Sequence, residues 1–123
     1  MTVTTNDLNS YAGIVEYSYT GETTDDVAVS ITATGAHFQI LQIAFSPDSV
    51  GVASEEFNAT IDHNLSTSLD TEFFGQNMSG QNEVLQRWAN DSGIYIPKGT
   101  TVNFTWTNTD ESNWGLSVMV RAE

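Results

Sequence analysis

Residues 93–121 read GIYIPKGTTVNFTWTNTDESNWGLSVMVR, and the phase of this stretch decides the fold class. Val102, Phe104 and Trp106 alternate with Asn103, Thr105 and Thr107; Leu116, Val118 and Val120 alternate with Ser117, Met119 and Arg121. A period of two belongs to strands with one buried face, whereas a helix repeats every 3.6 residues. Pro97-Lys98-Gly99 reads as a turn, with Pro supplying a fixed φ and Gly open to positive φ. Asn108 to Trp114 reads as a polar loop, and the two strands beside it are expected to pair as an antiparallel hairpin.

The same period extends toward the N-terminus. Val15, Tyr17 and Tyr19 alternate with Glu16 and Ser18; Val27, Val29 and Ile31 alternate with Ala28, Ser30 and Thr32; Phe57, Ala59 and Ile61 form another set. In HFQILQIAF (37–45) the apolar phase runs Phe38, Ile40 and then slips to Leu41, Ile43, Phe45. Such a slip marks a β-bulge or a strand buried on both faces, so this strand is placed centrally. Phe73-Phe74 fits a short strand, Gly75 to Asn82 a loop, and Glu83 to Trp88 either a strand or one helical turn. The sum is an all-β antiparallel sandwich, jelly-roll-like, of about eight strands, because nothing supplies the crossover helices of an α/β fold. Residues 1–12 (MTVTTNDLNSYA) lack a sustained period and read as a flexible N-terminal arm or a lone edge strand, with a single domain over 13–123.

Charge limits the partners. The 123 residues carry 16 acids against Arg87, Lys98 and Arg121, a formal net charge of −13. Three scattered bases cannot track a phosphate backbone, so neither nucleic acid nor an anionic membrane is an expected partner. No apolar run reaches the roughly 18 residues of a membrane helix. With no cysteine, a disulfide framework and a thiolate nucleophile are excluded. The acids are scattered from Asp7 to Glu123, as in a solvated shell around a folded body and unlike a tail. One lysine beside 16 Thr, 12 Ser and 10 Asn makes an acid-plus-hydroxyl surface suited to very high salt, which points to a halophilic source.

Motifs for chemistry are sparse. His37 and His63 lack a third ligand at a recognised spacing, and no Gly-x-Ser-x-Gly elbow occurs, so no enzyme, metal or cofactor is expected. Asp62, Asn64 and Asp70, and Asn108, Asp110 and Glu111, offer oxygens for calcium, yet none follows an EF-hand loop; turn capping is the favoured reading. Asn58, Asn64, Asn77, Asn90 and Asn103 satisfy Asn-x-Ser/Thr, where this composition alone gives about two such sites. Among the aromatics, Trp106 shares its phase with Val102 and Phe104 and belongs to the core. Trp114, in a polar loop beside Gly115, is the ring most open to contact, followed by Trp88 and Tyr95; each suits a protein interface or a glycan.

The segment Gly93 to Arg121 resembles the end of small β-rich virion proteins encoded among the head genes of tailed viruses. The likeness lies in a hydrophobic strand, a Pro/Lys-Gly turn, an aromatic strand, an Asn-Thr-Asp loop and Trp-Gly-Leu opening the last strand. HFQILQIAFS and FNATIDHN resemble the paired central strands of those proteins, so the likeness covers about 38–121. It implies a single jelly-roll or sandwich domain that sits on a capsid shell as a trimer, or serves in a turret, fibre or tail, with structural residues and no active site. The expectation is a virion structural protein at the capsid surface, a decoration or turret subunit, contacting its own copies as a homotrimer and the major capsid protein. The acidity departs from the usual members and fits a virus of a halophilic archaeon. The alternative is a carbohydrate-binding β-sandwich module, in a receptor-binding fibre or on a cell surface.

Overall fold

A computed structural model describes residues 4–8, 13–63, 65–88 and 93–122. Ten strands form two sheets: β1 Thr4–Leu8, β2 Gly13–Gly21, β3 Val27–Ala33, β4 Phe38–Pro47, β5 Glu56–Asp62, β6 Thr71–Asn77, β7 Val84–Arg87, β8 Ile94–Ile96, β9 Thr101–Trp106 and β10 Trp114–Ala122. One sheet has the order β1-β3-β9-β5-β6 and the other β2-β10-β4-β7, with β8 also on β4. β7 and β8 lie along successive stretches of the same edge of β4, opposite Gln42–Phe45 and Phe38–Ile40. Counted as one position, they complete eight: β3-β9-β5-β6 facing β2-β10-β4-β7/β8. That is a double-sheet jelly roll. β1 is an addition to it, pairing in parallel with β3. Of the expected arm over 1–12, residues 4–8 thus form an edge strand, and the rest lies outside the described residues.

The hairpin expected of 101–106 and 114–122 is not formed. β9 lies between β3 and β5 in one sheet, and β10 lies between β2 and β4 in the other. Alternation states which face of a strand is buried; it does not state which strand lies beside it. Residues 107–113 cross from sheet to sheet, and the apolar faces of β9 and β10 meet across the core. The phase slip at Leu41 is a bulge, since Val120 opposes Ile40, Met119 opposes Gln42, and Leu41 has no partner on β10. β4 is central, as its apolar content demands. Glu83 to Trp88 resolves as a strand, and β6 runs on through Gly75, Gln76 and Asn77, which composition had assigned to a loop.

Alternation is carried into burial. β3 reads buried at Val27, Val29, Ile31 and Ala33 and half-buried between them. Phe45 of β4 joins the layers: its ring stacks on Phe57 of β5 (centroids 4.4 Å apart), meets Trp106 of β9 edge-on at 5.1 Å and Trp114 of β10 at 6.2 Å. Offset and edge-on contacts suit the ring quadrupoles and add to the area they bury. The Pro97 turn is as expected, with Gly99 at φ 91° and Thr100 N–H donating to Pro97 O at 3.1 Å.

Candidate interaction surfaces

The three aromatic candidates are placed in three different settings. Trp114 is the first residue of β10 and only 6% exposed, so its expected place in an open loop is corrected. Its ring lies over Gly21, where an added Cβ would come within 2.1 Å of Cε2, and its Nε1 donates to Asp25 O at 2.9 Å. A glycine directly opposite on the neighbouring strand β2 makes the room, and a loop carbonyl satisfies the indole. Trp88 is half-buried; its backbone N–H donates to Leu41 O at 3.0 Å, and its ring lies 6.1 Å from Phe73, the bulged residue of β6. That pair closes the seam between the sheets at the β6 and β7 edges. Tyr95 alone is open, 49% exposed, with its ring 5.6 Å from His37.

Tyr95 belongs to a larger surface, the outward face of the β2-β10-β4 sheet. Register lays this face out in rows. Ile14, Arg121, Gln39 and Tyr95 stand side by side, followed by Glu16, Met119, Gln42 and Arg87, then Ser18, Ser117, Ala44 and Leu85. Ile14 (56%) and Leu85 (53%) are exposed, Met119 half-buried. Two of the three basic residues of the chain are here, against one acid. That acid, Glu16, accepts a hydrogen bond from Ser117 Oγ. Arg87 Nε donates to Gln42 Oε1 at 2.7 Å. Sequence reasoning passed over the arginines as scattered, because only strand register brings Arg87 and Arg121 onto one face.

The end of the sandwich formed by the β2–β3, β4–β5, β6–β7 and β9–β10 loops has the opposite character. Glu22, Asp25, Asp26, Asp48, Glu55, Glu83, Asp110 and Glu111 are in it, and no basic residue. The loops are tied together by buried polar groups. Asn108, 7% exposed, points Nδ2 at Ser112 O (2.8 Å), Asp25 O (3.0 Å), Glu22 O and Thr23 O (both 3.3 Å), while Oδ1 accepts from Ser112 N (3.0 Å). The Asp110 carboxylate receives the N–H groups of Val52 (2.9 Å) and Ala53 (3.1 Å). Asp48 N donates to Asn113 O at 2.8 Å, and Gly51 N to Gln81 O at 2.9 Å. On this braced end Val50 and Val52 stand out, 53% and 83% exposed.

The outward face of the other sheet satisfies itself. Ser30 Oγ donates to Asn103 Oδ1 at 2.6 Å, the Thr32 and Thr101 hydroxyls lie 2.9 Å apart, and Thr105 Oγ1 donates to Asn58 Oδ1 at 2.6 Å. Asn58 and Asn103 of the Asn-x-Ser/Thr set are thereby engaged; Asn77 is exposed and bonds Ser54 Oγ at 2.7 Å, and Asn64 and Asn90 lie outside the described residues. At the edge of this face Glu72 is held above its ordinary value of 4.5, chiefly by a hydrogen bond with Glu56, then by partial loss of water and the Glu56 charge beside it. Asp70 accepts from His63 N (2.8 Å), so it serves as a turn cap. His37 Nδ1 accepts from Lys98 N at 2.8 Å.

No family model and no curated protein matches the sequence. Solved structures with a similar course of the chain include the core of the Drosophila protein NLP, described in terms of pentamer formation and histone binding (TM-score 0.48, 8% identity, 85% of this chain and 96% of that one). PliG of Aeromonas hydrophila, a periplasmic inhibitor of g-type lysozyme, is similar at TM-score 0.42 and 9% identity over 98% and 97% of the chains. A chain of Desmodium yellow mottle tymovirus follows at 0.36 and 9% over 94% and 90%. Likeness at this level says nothing about ligand or partner.

Proposed function

We propose that the chain is a structural subunit of a virion, a capsid decoration or turret protein at the capsid surface. It acts without catalysis, through contacts with its own copies as a homotrimer and with the major capsid protein. The observation that carries this reading is the segregation of the surface. A chain of net charge −13 gathers both arginines with Ile14, Leu85, Met119 and Tyr95 on one rigid sheet face, and braces an acidic loop end that exposes Val50 and Val52. Exposed apolar side chains on a preorganised frame with arginine among them have the composition of a protein interface. The jelly roll is a frame that viral shells and lectins both use, so the fold supports the reading by analogy alone.

The acidic shell fits assembly in brine, where a screening length of about 3 Å at 1 M salt removes repulsion between copies that about 10 Å at 0.1 M would leave. The test is cross-linking mass spectrometry on gradient-purified virions of the virus that carries the gene. The expected result is this protein in stoichiometric amounts, linked to the major capsid protein. Absence from particles while the protein is abundant in the lysate would overturn the reading. Binding to a glycan panel that Tyr95→Ala abolishes would replace it with the carbohydrate-binding alternative.

A further inference from the structure

We infer that the arginine-bearing face of the β2-β10-β4 sheet is the docking surface for the acidic loop end of a second copy of this chain, in a head-to-tail contact. The inference rests on the reading of the chain as an assembling subunit and names the surfaces that assemble. Charge selects the pairing. Loop end against loop end would oppose eight acids to eight, and face against face would oppose arginines to arginines. The unlike pairing sets Arg87 and Arg121 toward eight acids, where face against face offers them Glu16 alone, and like-charge juxtaposition is what excludes wrong partners at interfaces.

Apolar groups match as well. Val50 and Val52 protrude from the loop end, and Ile14, Leu85, Met119 and Tyr95 lie on the face. Four strand positions, the longest strand of ten residues, give that face roughly 15–20 by 34 Å in plan. This is the scale of the roughly 800 Å² that each partner buries in a stable interface. Asp110 already fixes the Val52 and Ala53 backbone, so little ordering is required on docking. The loop end points along the strands, while the face looks across them. A head-to-tail contact between such surfaces turns the chain at every step, and heterologous contacts of that kind form a ring when the rotation closes.

Light scattering on sized fractions tests this with wild type, Val52→Asp, Leu85→Asp and an equimolar mixture of the two variants. Both sites are exposed, and the far-UV circular dichroism of the variants should match wild type, which shows that they fold. Wild type should run as a closed oligomer and each variant as a monomer. The mixture should stop at a heterodimer, because the intact loop end of the Leu85→Asp chain sits on the intact face of the Val52→Asp chain. Arg87→Glu should raise the dissociation constant by about tenfold or more. A monomeric wild type at millimolar concentration, an oligomer that Val52→Asp leaves intact, or variants that fail to pair would each overturn the inference. A head-to-tail ring that is missing from virions would instead remove the virion reading and leave this contact standing.

Discussion

Replacing Asn108 by alanine removes the group that ties the β9–β10 loop to the β2–β3 loop, and the structure sets the size of the effect. Nδ2 has two hydrogens to share among four carbonyl oxygens at 2.8–3.3 Å, and Oδ1 takes the Ser112 N–H at 3.0 Å. Three bonds are therefore made at a time, each with a net value of about 1 kcal/mol. Ser112 is 5% exposed, so its N–H loses its partner where water has poor access, which adds the cost of an orphaned donor. A loss of about 3–4 kcal/mol is expected, a large share of the roughly 5–15 kcal/mol that a domain has in all. Asn108→Asp keeps the shape and the bond from Ser112, but points an oxygen at four carbonyls. A carboxylate there is disfavoured, so its folded pKa must lie above the roughly 3.9 of an unfolded aspartate. A raised folded pKa means stability present below the unfolded value and lost as pH rises through the folded one. The deficit of Asn108→Asp relative to wild type should therefore shrink on acidification from pH 7 toward pH 4. Urea titrations followed by tryptophan fluorescence, compared at constant m-value, measure both effects. A loss under about 1 kcal/mol for Asn108→Ala, or a deficit for Asn108→Asp that acid does not reduce, would refute the reasoning.

The two core tryptophans should respond differently to phenylalanine. Trp106 Nε1 is buried and has no hydrogen-bond partner among the described residues, whereas Trp114 Nε1 bonds Asp25 O, so urea titration should find Trp114→Phe the costlier by about 1 kcal/mol. Gly21→Ala should cost about 1–3 kcal/mol by driving Trp114 off β2, with a red-shifted emission as the sign that the ring has moved. Carbon-detected NMR titration should place Glu72 above 4.5 and return it to its ordinary range in Glu56→Gln. Because that folded pKa is raised, the pair favours the fold below the ordinary value and loses that contribution as pH rises through the raised one. An unchanged Glu72 titration in Glu56→Gln would exclude the shared hydrogen bond.

Most of the sheet frame was legible because alternation and burial are one fact seen twice. Val27, Val29 and Ile31 alternate because one face of β3 packs and the other meets water, and the slip at Leu41 announced the bulge. Neighbour relations were not legible. β9 and β10 look like a hairpin, since their apolar phases would suit pairing in one sheet as well as packing across two. Trp114 looked open because its sequence neighbours are polar, while the cavity that receives it is made by Gly21 and the carbonyl that binds its indole by Asp25. The arginine face was hidden for the same reason, as Arg87 and Arg121 meet only through the registers of β4 with β7 and with β10.

The central position of β10 has a bearing on how the chain reaches its fold during synthesis. β10 pairs with β2 on one side and β4 on the other, and β9 lies likewise between β3 and β5. Both middle strands thus emerge from the ribosome after every strand they must join. Until then β2 and β4, and β3 and β5, are nascent segments with unsatisfied edges and apolar faces, and neither sheet can form its middle. Folding must wait for long-range closure, the regime of millisecond-to-second rates and of exposure to aggregation. The acids spread along the early strands and loops, which repel one nascent copy from another, then act as chaperoning charge before they act as a surface.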